Sequence, residues 1–414
     1  MKSPKISLVT SILININIII GAGLFINPRP LTLLSGKFGF LNYIIAALIL
    51  LPIVLSIAKL AQANPTAGGL YVYAKKYLGS KAGFLCGWSY FLGKTTSAAL
   101  LAHTFVTFFY RRIDMLQYIP ILLLDCILIF FLIFINIIGV KIGGNIQYLF
   151  SAAKIIPILF VVFMGFALFN PNFFINSTTD LNKFFSAIPL AVFAFLSFEI
   201  ICSIGHMLKD PQKNIKRSIL YSFFIVVSIA TIFQVAIFGA MGNTLETTYE
   251  PVKLLAGAIV NAFVFCSIIG GSFGSLTSNC WNLFTLAKDG KLPGKTILTK
   301  INKHHIPYTS LLFQGIIACA LLFLTKDQIP LQNMTVFGIV IAYLLNSISS
   351  VLQSKKKAKT AIIPLFAVSS SCYIAFLCFK NIFLHGLSFS FSAIFLLGII
   401  VHLIHTKKVK ILTF

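Results

Sequence analysis

Acidic residues are scarce in this sequence. Only 9 of 414 residues are Asp or Glu, and the four charged types together make up 10% of the chain. A soluble protein of this length coats its surface with far more charge, so that class is excluded. No Cys-x-x-Cys pair occurs among the 8 cysteines. They read as small apolar packing residues, not as a metal site or a disulfide framework. None of the 7 histidines sits in a His-x-x-x-x-Asp or His-Glu-x-x-His pattern, so a membrane enzyme lacks its catalytic cluster. His304 and His305 lie in a basic loop with no acidic neighbour. No repeated filter sequence marks a channel. The first apolar run lacks a convincing cleavage site and is expected to be a membrane helix, not a leader. Loops are short; the longest, near 61–81 and 287–308, leave no room for a soluble domain.

What is present is apolar: 58% of the residues are hydrophobic. Crossing a bilayer as a helix takes about 20 such residues. Twelve stretches qualify: 6–27, 39–60, 82–108, 118–139, 146–168, 184–205, 218–240, 258–286, 309–325, 331–350, 361–380 and 385–405. Runs such as 127–135 do not alternate apolar with polar residues, which argues for helices over a barrel. The expected class is an all-α membrane protein. The net charge of +24 suggests nucleic acid at first, but its placement argues otherwise. Of 33 Lys and Arg, three lie inside apolar spans (Lys59, Lys94 and Lys154); of the other 30, a cytoplasmic N-terminus puts 22 on the cytoplasmic side and 8 outside. That is the positive-inside bias, and it sets both termini in the cytoplasm of a cell inner, or plasma, membrane.

Two features interrupt the helical pattern. Gly21-Ala22-Gly23 falls inside the first span, where two glycines weaken a helix and free its backbone. Phe195-Leu196-Ser197-Phe198-Glu199 puts a carboxylate at membrane depth in the sixth. Interrupted helices five spans apart suit an inverted-repeat transporter, because irregular backbone at that depth is tolerated only beside a cavity or inside protein. Close helix packing through the glycine pair is the alternative.

The residues also carry a family pattern. Gly21-Ala22-Gly23-Leu24-Phe25 precedes Pro28. Ala58-Lys59-Leu60 leads to Pro65-Thr66-Ala67-Gly68-Gly69-Leu70-Tyr71, then to Gly83-Phe84 and Gly87-Trp88. Asn136 to Lys141, Lys154-Ile155-Ile156-Pro157, Phe193 to Glu199, Pro211-Gln212-Lys213-Asn214 and Ala287 to Pro293 follow. In this order the chain resembles the amino acid–polyamine–organocation permeases from about residue 6 to residue 310. The resemblance implies one transporter domain with a five-plus-five inverted repeat: residues 1–168, then 184–350, with two further helices over 361–405. It implies alternating access, with an amino acid or polyamine held between spans 1, 3, 6 and 8. Three departures stand out. Family members commonly have Gly where Ser197 stands, a Glu pair where His206 and Met207 stand, and Glu where Lys59 stands. The last two are similar to the pattern of arginine/agmatine and other basic amino acid exchangers, and they lean the substrate toward a cationic amino acid or polyamine.

Within that resemblance, the backbone N–H groups at Gly21, Ala22 and Gly23 would meet a substrate carboxylate. Carbonyls from Ala194 to Ser197 would accept from its ammonium. Phe193 or Phe195 would close over it, with a plain core role as the alternative for each. Glu199 is expected to titrate during transport or to hold the broken helix. Lys154, three turns past Gly143-Gly144, would replace a coupling cation; an ammonium out of water yields its proton more readily. A snorkelling lysine is the alternative there. Asn17 and Tyr90 are cavity candidates or helix–helix contacts. Lys94 and Asp125 are expected to pair with each other or with Glu199. No cofactor and no metal is expected. The expected partners are the substrate, protons or a counter-substrate, the lipid bilayer and, as an option, a second copy in a homodimer; nucleic acid is not among them.

Overall fold

The computed structural model describes residues 6–21, 23–65, 69–138, 155–175, 181–246, 257–304, 306–354 and 361–412. Ala22, Lys154, residues 66–68 and 139–153, and the basic run 355–359 lie outside the described residues, as does the side chain of His206. Among the described residues no strand forms, and helices carry nearly all of the chain. In order the main ones are α1 (Leu8–Ile19), α2 (Gly23–Ile26), α3 (Pro28–Ser35), α4 (Gly39–Ala63), α5 (Gly69–Leu78), α6 (Ser80–Tyr110), α7 (Ile121–Ile138) and α8 (Ile155–Ala167). They continue as α9 (Ile188–Phe193), α10 (Ile200–Ile204), α11 (Pro211–Met241), α12 (Gly257–Lys288), α13 (Tyr308–Leu324), α14 (Gln328–Ser354), α15 (Ile362–Leu384) and α16 (Ser388–Leu412).

Among the described residues six stretches are long and apolar enough to cross a bilayer: 8–26, 28–63, 121–138, 211–245, 328–354 and 362–384. Helix α7 shows why lipid is their solvent. Its Asp125, Ile129, Leu132, Ile133 and Asn136 are buried, while Ile127, Phe131 and Phe134 point outward, Phe134 with 61% of its surface exposed. An apolar outer face on a helix whose buried face holds its Asp and Asn is the reverse of a soluble helix. Some hydroxyls inside the helices are satisfied locally: Thr95 and Thr96 donate to the carbonyls of Phe91 and Leu92 at 2.8 and 2.9 Å.

The chain divides into two compact units. The first comprises residues 1–86, 153–264 and 340–378; the second comprises 87–152, 265–339 and 379–414. Within the first, α11 is packed by α1, α4 and α8. Pro211 opens α11 and Gly242, at φ +54°, closes it. Gly165 of α8 lets that helix approach, since a Cβ there would lie 2.7 Å from the carbonyl oxygen of Ala236. The segment ahead of α1 is anchored as well. Ser7 caps the helix by accepting from Thr10 N–H at 3.1 Å. Ile6 forms a β-bridge with Leu208: its N–H donates to Met207 O and its carbonyl accepts from Lys209 N–H, both at 2.9 Å.

Within the second unit, α6 crosses α14 where Gly93 and Gly338 bring the two backbones together; a Cβ on either would come within 2.8 Å of the other helix. Asn279 of α12 donates to Phe91 O at 3.0 Å and to Thr95 Oγ1 at 3.2 Å, and Ser272 donates to Ala98 O at 2.9 Å. These amide and hydroxyl bonds hold α12 along α6.

Candidate functional site

The first break begins where α1 stops at Ile19. Ile20 N–H still reaches Ile16 O at 2.8 Å, but Gly21 N–H folds back to Ile19 O at 2.6 Å, a tight turn incompatible with continued helix. Winding resumes at Gly23 as α2. Among the described residues no hydrogen bond starts from the N–H groups of Gly23, Leu24 or Phe25, the orphan donors of a new helical turn.

The second break follows α9. The N–H groups of Ala194, Phe195 and Leu196 reach back only three residues, to Ala191, Val192 and Phe193, at 3.1, 2.9 and 3.4 Å. This tighter winding exhausts itself at Ser197, whose φ is +82°. A non-glycine residue in that region costs on the order of 1–3 kcal/mol. Helix resumes as α10, with Ile200 N–H on Ser197 O at 3.1 Å. The carbonyl of Ser197 is therefore engaged, whereas among the described residues no hydrogen bond ends on those of Ala194, Phe195 or Leu196.

The two breaks touch. A Cβ on Gly23 would lie 2.9 Å from Ala194 Cα and 3.1 Å from the Phe193 ring, so glycine is required for the contact. Asn27, between α2 and α3, donates to Leu190 O at 2.6 Å and fixes the crossing. Backbone donors from one break and backbone acceptors from the other thus lie side by side.

The side chains around this contact divide by role. Phe195 is fully buried between Tyr43 and Phe223, with ring centroids 5.6 and 5.8 Å away. Phe193 stands at the contact itself, against Gly23. Glu199 is buried and accepts from Tyr343 Oη at 2.6 Å; the Tyr343 ring packs on Phe198. Asn17 is half-buried, while Asn15, not singled out from sequence, donates to Ser222 Oγ at 2.5 Å. Its signal was the spacing of Ser11, Asn15 and Ile19, one buried stripe. Lys59 donates to Ser354 Oγ at 2.7 Å. Beyond the spans, α5 docks through Tyr73, which donates to Cys202 O at 3.3 Å; burial pushes the Tyr73 phenol up from its ordinary pKa.

In the second unit, Tyr90 is half-buried and its ring centroid lies 5.5 Å from the buried Lys94 Nζ. The expectation that Asp125 pairs with Lys94 or Glu199 is corrected: its Oδ2 meets His103 Nδ1 at 2.8 Å, and His103 Nε2 meets Thr107 Oγ1 at 3.1 Å. His103 and Thr107, one turn apart on α6, present a ready partner.

Comparison with known proteins gives a consistent result. The family model described as "Amino acid permease" matches residues 10–402. The chain is 27% identical over 376 residues to the serine/threonine exchanger SteT of Bacillus subtilis, covering 86% of this chain and 84% of that protein. It is 25% identical over 381 residues to the gamma-aminobutyric acid permease of the same organism, covering 84% and 79%. It is 27% identical over 353 residues to the large neutral amino acids transporter small subunit 2 of Oryctolagus cuniculus, covering 80% of this chain and 66% of that protein.

Proposed function

The chain belongs to the amino acid permease family, and on that premise we propose how it works: as a secondary transporter that moves amino acids across the membrane by alternating access, gripping the substrate at its two helix breaks. The observation that carries this is the contact at Gly23 and Ala194. A free amino acid is a zwitterion. Its carboxylate needs N–H donors, and the start of α2 supplies them; its ammonium needs acceptors, and the carbonyls of Ala194, Phe195 and Leu196 supply those. Ala22 is proposed to extend the donor side, while Gly21, whose N–H is spent on Ile19 O, supplies the turn; Asn17 and Tyr90 are proposed side-chain contacts. Phe193 is the better gate of the two aromatics, because Phe195 is committed to the core.

The wider architecture belongs to the same proposal: twelve spans, a five-plus-five repeat over 1–168 and 184–350 with two more helices over 361–405, and both termini in the cytoplasm of the plasma membrane, supported by the 22-to-8 split of basic residues. Coupling is assigned to Lys154, through a proton in symport, with Glu199 next in line. Exchange against a counter-substrate is the second reading, favoured by the SteT relative being an exchanger. A homodimer is compatible with either. The lean toward cationic amino acids or polyamines rests on Lys59 and His206-Met207; Lys59 is bonded to Ser354 and Glu199 to Tyr343, so neither side chain adds support.

Uptake into proteoliposomes tests the zwitterion reading. Saturable uptake of a labelled amino acid should be competed by free amino acids and not by their N-acetyl or methyl-ester derivatives. Equal competition by both derivatives overturns it.

A further inference from the structure

Helix α11 changes character along its outer face. Where it begins, residues 209–217 hold four cations, Lys209, Lys213, Lys216 and Arg217, and one acid, Asp210, all of them exposed. Among the described residues none of the four cations forms an ion pair with an acid. Lys216 also stands within range of the Lys59 charge on α4, and like charges there repel. One turn farther on, the outer face becomes apolar: Tyr221, Phe224, Ile225 and Ile232 are exposed. Ser228 lies among them, but its hydroxyl is spent on Phe224 O at 3.0 Å. Lys213, Arg217, Tyr221 and Phe224 follow one another at helical spacing, so cations and rings share one face. The seven residues from Arg217 to Phe224 span about 10 Å of helix. The polar zone of one leaflet is about 5–8 Å deep. With Phe224 in the hydrocarbon, the cations therefore stand at the level of the lipid headgroups.

We propose that this face of α11 docks an anionic phospholipid, with its phosphate on Lys213, Lys216 and Arg217 and its acyl chains along Tyr221, Phe224 and Ile225. Charge complementarity sets the headgroup. The patch has an excess of cations, and a phosphodiester supplies the missing negative charge. Arg217 can hold two of its oxygens at once, while the lysines act as point charges. A zwitterionic lipid brings a further cation to a place that already has an excess of them. The apolar stretch sets the rest of the ligand, because a free anion leaves Tyr221 and Phe224 without a partner. The inference holds whatever substrate the chain carries.

The test titrates the detergent-solubilised full chain with phosphatidylglycerol, phosphatidylcholine or inorganic phosphate and follows thermal unfolding. Phosphatidylglycerol should raise the unfolding temperature of the wild type, and the other two should not. Each cation beside an anionic lipid is worth about fivefold in affinity. The triple variant Lys213→Gln, Lys216→Gln, Arg217→Gln should therefore need about a hundredfold more phosphatidylglycerol for half the effect. The milder double variant Lys213→Gln, Arg217→Gln should need about thirtyfold more. A control that removes the same charge from another exposed basic run, Lys295→Gln, Lys300→Gln, Lys303→Gln, should bind as the wild type does. An equal effect of phosphatidylcholine overturns the proposal, because the headgroup charge then plays no part. An equal effect of phosphate overturns it in favour of a free-anion site. An equal loss in the control overturns it too, since overall charge then explains the binding.

Discussion

The Tyr343 hydroxyl donates to Glu199 Oε2 at 2.6 Å, and both side chains are buried. This bond ties α14 to the end of the second break. It gives the acid a defined orientation at a depth where a carboxyl is expensive to keep.

Removing the donor should be costlier than neutralising the acceptor. Tyr343→Phe leaves a buried oxygen without its bond and is expected to destabilise by about 1–3 kcal/mol. Glu199→Gln keeps an acceptor in place and should cost less. Unfolding of the two single variants and the double variant gives a coupling energy; a value near zero means that the bond contributes nothing.

Gly23 and Gly21 should respond differently to the same change. In Gly23→Ala the new methyl group meets Ala194 Cα at 2.9 Å and must push the breaks apart, whereas at Gly21 a Cβ meets only Ile19 O, at 3.7 Å. Overpacking of this kind costs about 1–3 kcal/mol. Substrate uptake is expected to fall about tenfold or more in Gly23→Ala and to change little in Gly21→Ala. Equal loss in both would mean that the contact with Ala194 is unimportant.

The His103–Asp125 pair should be worth more whole than half. His103→Leu strands a fully buried carboxylate and is expected to destabilise by about 3–5 kcal/mol, while His103→Leu with Asp125→Leu should recover most of that loss. Yield and thermal unfolding in detergent read this directly. A double variant no better than the single one would make the pair a net contributor to stability.

If the Lys154 ammonium takes the place of a coupling sodium ion, uptake needs no sodium. Lys154→Ala should then abolish accumulation against a gradient and retain some substrate binding, because Gly23 and Ala194 are untouched. Coupling is reciprocal, so substrate affinity should depend on pH in the wild type and lose that dependence in the variant. A variant that still concentrates substrate under a proton gradient moves the coupling group elsewhere, first to Glu199.

The first break is legible in residues alone, because Gly21 and Gly23 act locally on the backbone they occupy. The second is harder to read. Ser197 lacks the freedom of glycine, so local propensity gives no sign of its φ of +82°, and the packing of Phe195 and Phe198 on Phe223 joins parts of the chain distant in sequence. Pairing between helices is the least legible level. Glu199 and Tyr343 are 144 residues apart, and their meeting depends on how each helix is rotated about its axis. The same reason hides His103 behind Lys94 as a partner for Asp125: one charged residue draws attention in a sequence, while a neutral imidazole on the correct face does not.

The two backbone hydrogen bonds made by Ile6 have a mechanical consequence. They join the chain entering α1 to the chain leaving α10, so the halves of the two interrupted helices beside the N-terminus are yoked. For α1 to swing alone, both bonds must be shed, a penalty on the order of 1–3 kcal/mol that depopulates such a state. With the bonds kept, α10 travels with α1 as a single lever, and the pivots of that lever are the glycine turn at Gly21 and the strained turn at Ser197.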